Sequence, residues 1–519
     1  MVIRLLLPLF FALAGCASAP VPEPSQAIAP DPSAPLVAAV QTRAAAHPGL
    51  SGFRLLANSE EAFAVRLALL QEARHSLDIQ YYIVRDGLTT RLLLEQVLSA
   101  ADRGVRVRLL LDDTSSDRGE GQIAALAAHP QIEVRLFNPL HLGRVPGAAR
   151  NLGRLLDLSQ QHRRMHNKLW LADNSLAIVG GRNLGDEYFD AGPARDFSDL
   201  DLLGAGPVAE QLGQSFDQYW NHRLSKPLEG LRWLPPTAAD LNRLRLRLEA
   251  FRASAALRDS PFARLQSGSR RAARLDDWLD GLTWASGQAL WDAPAKVLSR
   301  GEPDPHLLLT TQLAPLFKAV REELILVSAY FVPGEEGVDY LTGRADGGVS
   351  IRLLTNSLEA TDVPAVHGGY APYRRPLLEH GIRLFELRAE PERQPNGASW
   401  RLARGSSHAS LHSKAVVFDR RKVFIGSFNL DQRSVLWNTE VGIVVDSPAL
   451  AAQVRRLALQ GMAPRVSYEV RLQRGDGEAR LLWIDERNGR RRVRTHEPGS
   501  WWRHLNAWLV RLVGLESML

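Results

Sequence analysis

One phrase occurs twice in this chain, and that repetition limits its possible folds more than any other feature. "RMHNKLWLAD" runs from Arg164 to Asp173, and "SLHSKAVVFD" from Ser410 to Asp419. From His166 it is two residues to Lys168, seven to Asp173, fourteen to Gly180 and seventeen to Asn183. From His412 the same steps reach Lys414, Asp419, Gly426 and Asn429. The flanks repeat too. "SLDIQYYIV", a helical stretch and "VRVRLLLDD" correspond to "LILVSAYFVPG", a helical stretch and "VSIRLLTNS", while "EVRLFNP" matches "GIRLFEL". Corresponding features sit about 245 residues apart, so the chain reads as two copies of one unit. Strands alternating with helical stretches make each unit α/β, a mixed β-sheet flanked by helices.

The spacing carries chemistry as well as fold. On a strand, residues i and i+2 share a face, so each His and its Lys point the same way. Gly180, Gly181 and Gly426 allow close backbone approach at the end of the next strand, where Asn183 and Asn429 can turn inward. The second copy has Ser427 in place of Gly181, and its hydroxyl is a candidate donor to phosphate. Lysine is scarce in a chain whose positive charge is overwhelmingly arginine: Lys168, Lys226, Lys296, Lys318, Lys414 and Lys422 are all there are. Two of them fall at equivalent points of the repeat, where a compact point charge serves better than a planar guanidinium.

The rest of the chain sets the context. With 519 residues there is room for two ordinary domains. A net charge of +6 favours anionic partners without choosing between phospholipid, nucleic acid and phosphate esters. Residues 1–15 carry one Arg and then an apolar run of secretory length, which reads as a signal peptide. Leu13-Ala14-Gly15-Cys16 resembles the lipobox of bacterial lipoproteins, with Cys16, the only cysteine, as the lipidated residue. Ala17 after it favours an outer-membrane location facing the periplasm. Residues 16–50, rich in Pro, Ala and Ser, read as a lipidated N-terminus and disordered tether. The first lobe is placed at 51–225, a helical connection without assigned chemistry at 226–305, and the second lobe at 306–465. A hairpin turning at Asn488-Gly489 and an amphipathic helix occupy 466–519. In that helix Trp501, Leu505, Trp508, Leu509, Leu512 and Val513 recur at helical spacing, a stripe that either packs on the domain or dips into a bilayer surface.

The doubled pattern resembles the signature of the phospholipase D superfamily, His-x-Lys-x4-Asp-x6-Gly-Gly/Ser-x-Asn. "GGRNLGDEYF", "FSDLDLLGAGP", "FIGSFNLDQRS" and "NTEVGIVV" look most like its bacterial cardiolipin synthase C-type branch. The resemblance implies two similar lobes packed as a pseudo-twofold pair with one active site at their interface. It implies that one histidine attacks phosphorus and forms a phosphohistidine while the other handles the proton, with His166 the nucleophile and His412 the acid/base. Lys168, Lys414, Asn183 and Asn429 would hold the non-bridging oxygens, without metal or cofactor. Each histidine also needs an orienting acid. Glu440 follows His412 by the superfamily's 28 residues, and aligning Pro207 with Pro448 pairs Glu440 with Asp199, with Asp201 the alternative. Asp173 and Asp419 are expected to serve structure. The activity implied is transfer of a phosphatidyl group between phospholipids, making cardiolipin. Hydrolysis by a phospholipase D, nucleic-acid cleavage and a non-catalytic lipid-binding role are the alternatives; a lipidated envelope protein meets little nucleic acid. Protein partners are not legible in the sequence.

Overall fold

The structure is a computed structural model that describes residues 23–113, 116–140, 162–192, 196–232, 234–266, 271–391, 409–474 and 479–513. Cys16 and the expected signal peptide, residues 1–15, lie outside the described residues.

Each copy of the repeat builds the same sheet. In the first lobe the strand order is Ser51–Leu56, Asp201–Ala205, Leu176–Gly180, Leu169–Ala172, Ser76–Tyr81, Arg106–Asp112, Ile132–Phe137, Ser225–Pro227. In the second it is Thr283–Trp291, Val441–Asp446, Lys422–Gly426, Lys414–Phe418, Glu323–Ser328, Ser350–Asn356, Arg383–Leu387, Ser467–Gln473. Parallel and antiparallel pairings match step for step. The parallel steps need crossovers, and the helices Leu88–Asp102 and Gly334–Asp346 supply the first of the two in each lobe.

Both faces of these sheets are covered, which is why their strands read as nearly unbroken apolar runs. Leu77, Ile79 and Val107 pack under helices on the outer side of the first lobe. On the inner side Leu169, Leu171, Val179 and Leu202 share one core with Ile325, Val417, Ile425 and Ile443 of the second lobe. Each such side chain contributes roughly 1.5–3 kcal/mol on burial, so the lobes are joined by apolar packing.

Two expectations need correction. Residues 23–50 are not a disordered tether. The helix Pro35–Ala44 buries Leu36, Val37 and Val40, and the segment before it serves buried arginines. Arg108 donates to the carbonyl of Ser25 and Arg135 to that of Glu23, at 3.0 and 3.1 Å, while Asp217 accepts from the Ala27 amide at 2.7 Å. A Pro-rich composition signals little core-forming capacity but says nothing of acceptors waiting elsewhere. The connection 226–305 is also not wholly helical. It ends in the strand Thr283–Trp291, whose first residues pair with Ser51–Phe53 and whose remainder pairs with Val441–Asp446. One strand therefore belongs to both sheets.

The C-terminal hairpin extends the second sheet by Arg480–Arg487 and Arg490–Arg494. It turns at Asn488 and Gly489, both at positive φ. The helix Trp501–Val513 lies against the helix Pro364–Tyr370, close enough that a side chain on Gly368 would meet the carbonyl of Ala507 at 2.4 Å. Among the described residues no helix is long and apolar enough to cross a membrane.

Candidate active site

Both histidines sit where the lobes meet. The His166 amide donates to the carbonyl of Thr439, and Met165 bridges Thr439 in parallel register. Equivalently, Ala409–Leu411 pairs in parallel with Asp196–Ser198, and the His412 amide donates to Ser198 at 2.8 Å. Each motif is thus held by the segment of the other lobe that leads to an acid.

The acids are used crosswise. Nδ1 of His166 lies 2.9 Å from Glu440 of the second lobe, and Nδ1 of His412 lies 2.6 Å from Asp199 of the first. Asp201, the alternative to Asp199, is elsewhere: it pairs with Arg66 at 2.8 Å and Arg182 at 3.3 Å inside the first lobe. Lys168 and Lys414 stand beside the histidines, each ammonium donating to the carbonyl of its own motif's histidine.

The electrostatics of the two pairs differ. Burial pushes His166 well below its ordinary pKa, and the charges of Lys168 and Lys414 push the same way. Burial also raises Glu440, to about 7, against the pull of Lys168 and the hydroxyl of Ser427. His412 is lowered by burial and Lys414, but Asp199 opposes the shift. Burial acts to raise Asp199; His412 and Lys414 outweigh it and hold Asp199 below the ordinary carboxylate value. Glu440 is thus raised where Asp199 is lowered, so the two acids differ in how strongly each favours a protonated imidazole. Burial brings Lys168 down to about 7 against the pull of Glu440, and any anion beside it would favour the charged form.

The remaining motif positions have definite places. A Cβ on Gly181 would lie 2.2 Å from Asp199, one on Gly180 2.1 Å from Asp201, and one on Gly426 2.4 Å from the Val441 carbonyl. Asp173 accepts from the amides of Arg74, His75 and Ser76, and Asp419 from those of Arg321, Glu322 and Glu323. Both sit at positive φ in the turn between two strands and tie it to a third. Asn183 accepts from the Ile83 amide and donates to the Tyr188 hydroxyl, while Oδ1 of Asn429 is buried without a hydrogen-bond partner. Ser427 does not face outward to phosphate. Its hydroxyl donates to Glu440, as does that of Ser434.

Sequence reasoning misses several neighbours. The ring of Tyr82 meets His166 edge-on at 5.0 Å, and Tyr188 and Phe197 flank His412 at 5.3 and 5.1 Å. Asp292 and Lys296, in the connection without assigned chemistry, form a buried pair at 3.0 Å, and Asp292 accepts the Glu440 amide. The scarcity of lysine was the available signal for Lys296. Among the described residues one further His/Glu group, His367, Glu386 and Glu497, has metal-like proximity. Arg374 already bonds all three.

Two lobes of one fold sharing a pair of opposed His-Lys motifs define a phospholipase D-type enzyme. A family described as "Cardiolipin synthase, PLD-like domain" matches residues 67–220 and again 313–460, and the chain belongs to it. Among its relatives is cardiolipin synthase C of Escherichia coli (strain K12), 38% identical over 93% of this chain and 99% of that protein. Cardiolipin synthase A of Salmonella arizonae is 25% identical over 77% of this chain and 67% of its own length. The crystal structure of phosphatidylserine synthase from Haemophilus influenzae superposes over 93% of this chain and all of that one, with a TM-score of 0.55 at 13% identity, a likeness of fold.

Proposed function

We propose that the chain is a phosphatidyltransferase of cardiolipin synthesis working through a phosphohistidine. The observation that carries this is the crosswise pairing of each histidine with an acid of the other lobe, Glu440 on His166 and Asp199 on His412. His166, kept neutral beside Glu440, attacks phosphorus through Nε2 while Nδ1–H stays on the carboxylate. His412, whose protonated form Asp199 stabilises, gives its proton to the leaving alcohol and later takes one from the incoming hydroxyl. Lys168 and Lys414 hold the non-bridging oxygens, with Asn429 beside them. The histidines are only 6% and 5% exposed. That burial limits water and supports transfer to a second phospholipid over hydrolysis.

The working place we infer is the bacterial envelope, with the chain lipid-anchored through Cys16 at the periplasmic face of the outer membrane. The Leu13–Cys16 sequence supports this. Incorporation of labelled palmitate that persists in Cys16→Ala would refute it.

The test of the chemistry uses labelled phosphatidylglycerol with and without phosphatidylethanolamine. Cardiolipin is the expected product, and phosphatidic acid alone would overturn transfer. A labelled phosphoprotein should accumulate in His412→Ala and be absent in His166→Ala. The reverse pattern would exchange the two roles.

A further inference from the structure

A cavity of about 480 Å³ lies in the second lobe, beyond the histidines, where the C-terminal hairpin meets the start of the C-terminal helix. Arg388, Tyr468, Arg487, Arg494, Ser500 and Arg503 line it. Arginine outnumbers acid around it. Arg388, Arg492 and Arg494 gather round a single buried carboxylate, Asp485, at 3.4, 3.3 and 4.0 Å. Of the two acids in the wall, Glu359 accepts from the Tyr468 hydroxyl and the Ala389 amide. Glu390 stands 4.0 Å from Arg487, with both side chains about half exposed. Arg388 is 3% exposed, and its Nε meets no hydrogen-bond acceptor. Its Nη1 donates to the carbonyls of Arg465 and Glu486, which leaves the buried Nε as the donor that an anion would complete. The guanidinium carbons of Arg388 and Arg494 lie 5.7 and 5.8 Å from the centre of the Tyr468 ring.

Two further features say which anion. Gly499 and Ser500 in the cavity wall lead directly into the helix Trp501–Val513, so its positive end borders the cavity. The next residues, Trp501 and Trp502, are 74% and 56% exposed, and Trp508 and Leu509 extend the apolar face. Ala507 and Arg503 on the other face hold the helix to the lobe, with Arg503 donating to the carbonyls of Leu358 and Thr361. Exposed indoles next to an arginine-lined cavity match a lipid, with its phosphate inside and its chains beside the rings, better than they match free phosphate.

We propose that this cavity is a non-catalytic site for the phosphate of an anionic phospholipid, seating the C-terminal helix on the bilayer that supplies the substrate. The proposal rests on the reading that the chain acts on phospholipids. It adds a second lipid contact that holds the second lobe to the surface.

The test measures binding of the full chain to vesicles of phosphatidylcholine alone and with phosphatidylglycerol added, for wild type and for the double variant Arg487→Glu/Arg494→Glu. Both arginines are partly exposed, 48% and 40%, so the fold should survive, and circular dichroism checks it. The control variant reverses Arg223 and Arg247, exposed arginines of the first lobe and the connecting helix. The expected result is that the double variant needs about tenfold or more phosphatidylglycerol vesicle for half-binding, with the control near wild type. Trp501→Ala/Trp502→Ala should weaken binding to both vesicle types. Equal losses in the site variant and the control, or none in either, overturn the site. Inorganic phosphate that displaces the protein from vesicles at millimolar concentration would show an adventitious anion pocket and overturn the lipid assignment. Transfer activity of the wild type on short-chain phosphatidylglycerol is assayed separately. Its absence would sink the proposed function and leave the vesicle result to be read by itself.

Discussion

At the residue scale, the two copies of the motif differ most usefully at Gly181 and Ser427. The first copy needs glycine because Asp199 occupies the space a Cβ would take. The second admits serine because its hydroxyl satisfies Glu440. The identity of the histidines, lysines and asparagines was legible in spacing alone. Aligning Pro207 with Pro448 also picked Asp199 over Asp201 correctly; what was not legible is that Arg66 and Arg182 occupy Asp201. Nor was the crosswise pairing, which depends on how two folded lobes meet. Gly181→Ala should therefore act through Asp199. It should lower kcat roughly a hundredfold or more, as loss of an acid that orients a catalytic histidine does. Thermal stability should change little beside that. Ser427→Gly, which keeps the space, should cost far less. Equal effects of the two substitutions on product formation would show that Asp199 is not what Gly181 protects.

At the scale of elements, strands were more legible than segments whose partners are distant. The runs around His166 and His412 carry their own apolar signal, and both motif aspartates close turns in the way their position after a strand suggests. The strand Thr283–Trp291 has Gly, Gln and Ser among its residues, and its pairing partners are the residues near Ser51 and Val441. No local pattern reveals that. The short helix Gln432–Leu436 shows an element built to serve the site. Asp431 caps it by accepting the Ser434 amide at 2.7 Å, and Ser434 in turn donates to Glu440. Burial lifts the pKa of Asp431 to about 7, with Glu440 adding to the rise and the Ser434 amide opposing it. The sign follows from linkage. An acid whose folded pKa is raised binds its proton more tightly in the folded state, so it costs stability increasingly as pH climbs from about 4 to about 7. Asp431→Asn keeps an N-cap and removes that cost. Its melting temperature should exceed the wild type's by several degrees at pH 8, with the gap closing toward pH 4. A gap that is constant with pH, or widest in acid, would mean that Asp431 is not held protonated by its surroundings.

At the scale of the whole molecule, the repeat foretold two lobes, but the device that sets their register lies in one strand. Thr283–Trp291 crosses from the first sheet to the second, and Gly287 stands at the crossing. A Cβ there would lie 2.2 Å from the ring of Phe53, a fully buried residue of the shared core. The ring belongs to the core that both lobes share. Gly287→Val must then separate the strand from Phe53, at the roughly 1–3 kcal/mol that overpacking a core costs. The functional consequence should be larger than the loss of stability. The His166–Glu440 and His412–Asp199 pairs both cross the same junction, and hydrogen bonds of 2.9 and 2.6 Å tolerate little displacement. Transfer should fall at least tenfold at a temperature where circular dichroism still reports a folded chain. Gly121→Ala supplies the comparison: it lies in the helix Ser116–Leu126 with nothing within 4 Å of an added Cβ. There, alanine's better helix propensity should leave activity intact and stability equal or slightly higher. If Gly287→Val melts early yet transfers phosphatidyl groups at the wild-type rate, the lobes do not need their observed register. The two motifs would then form a working site without the strand that joins the sheets.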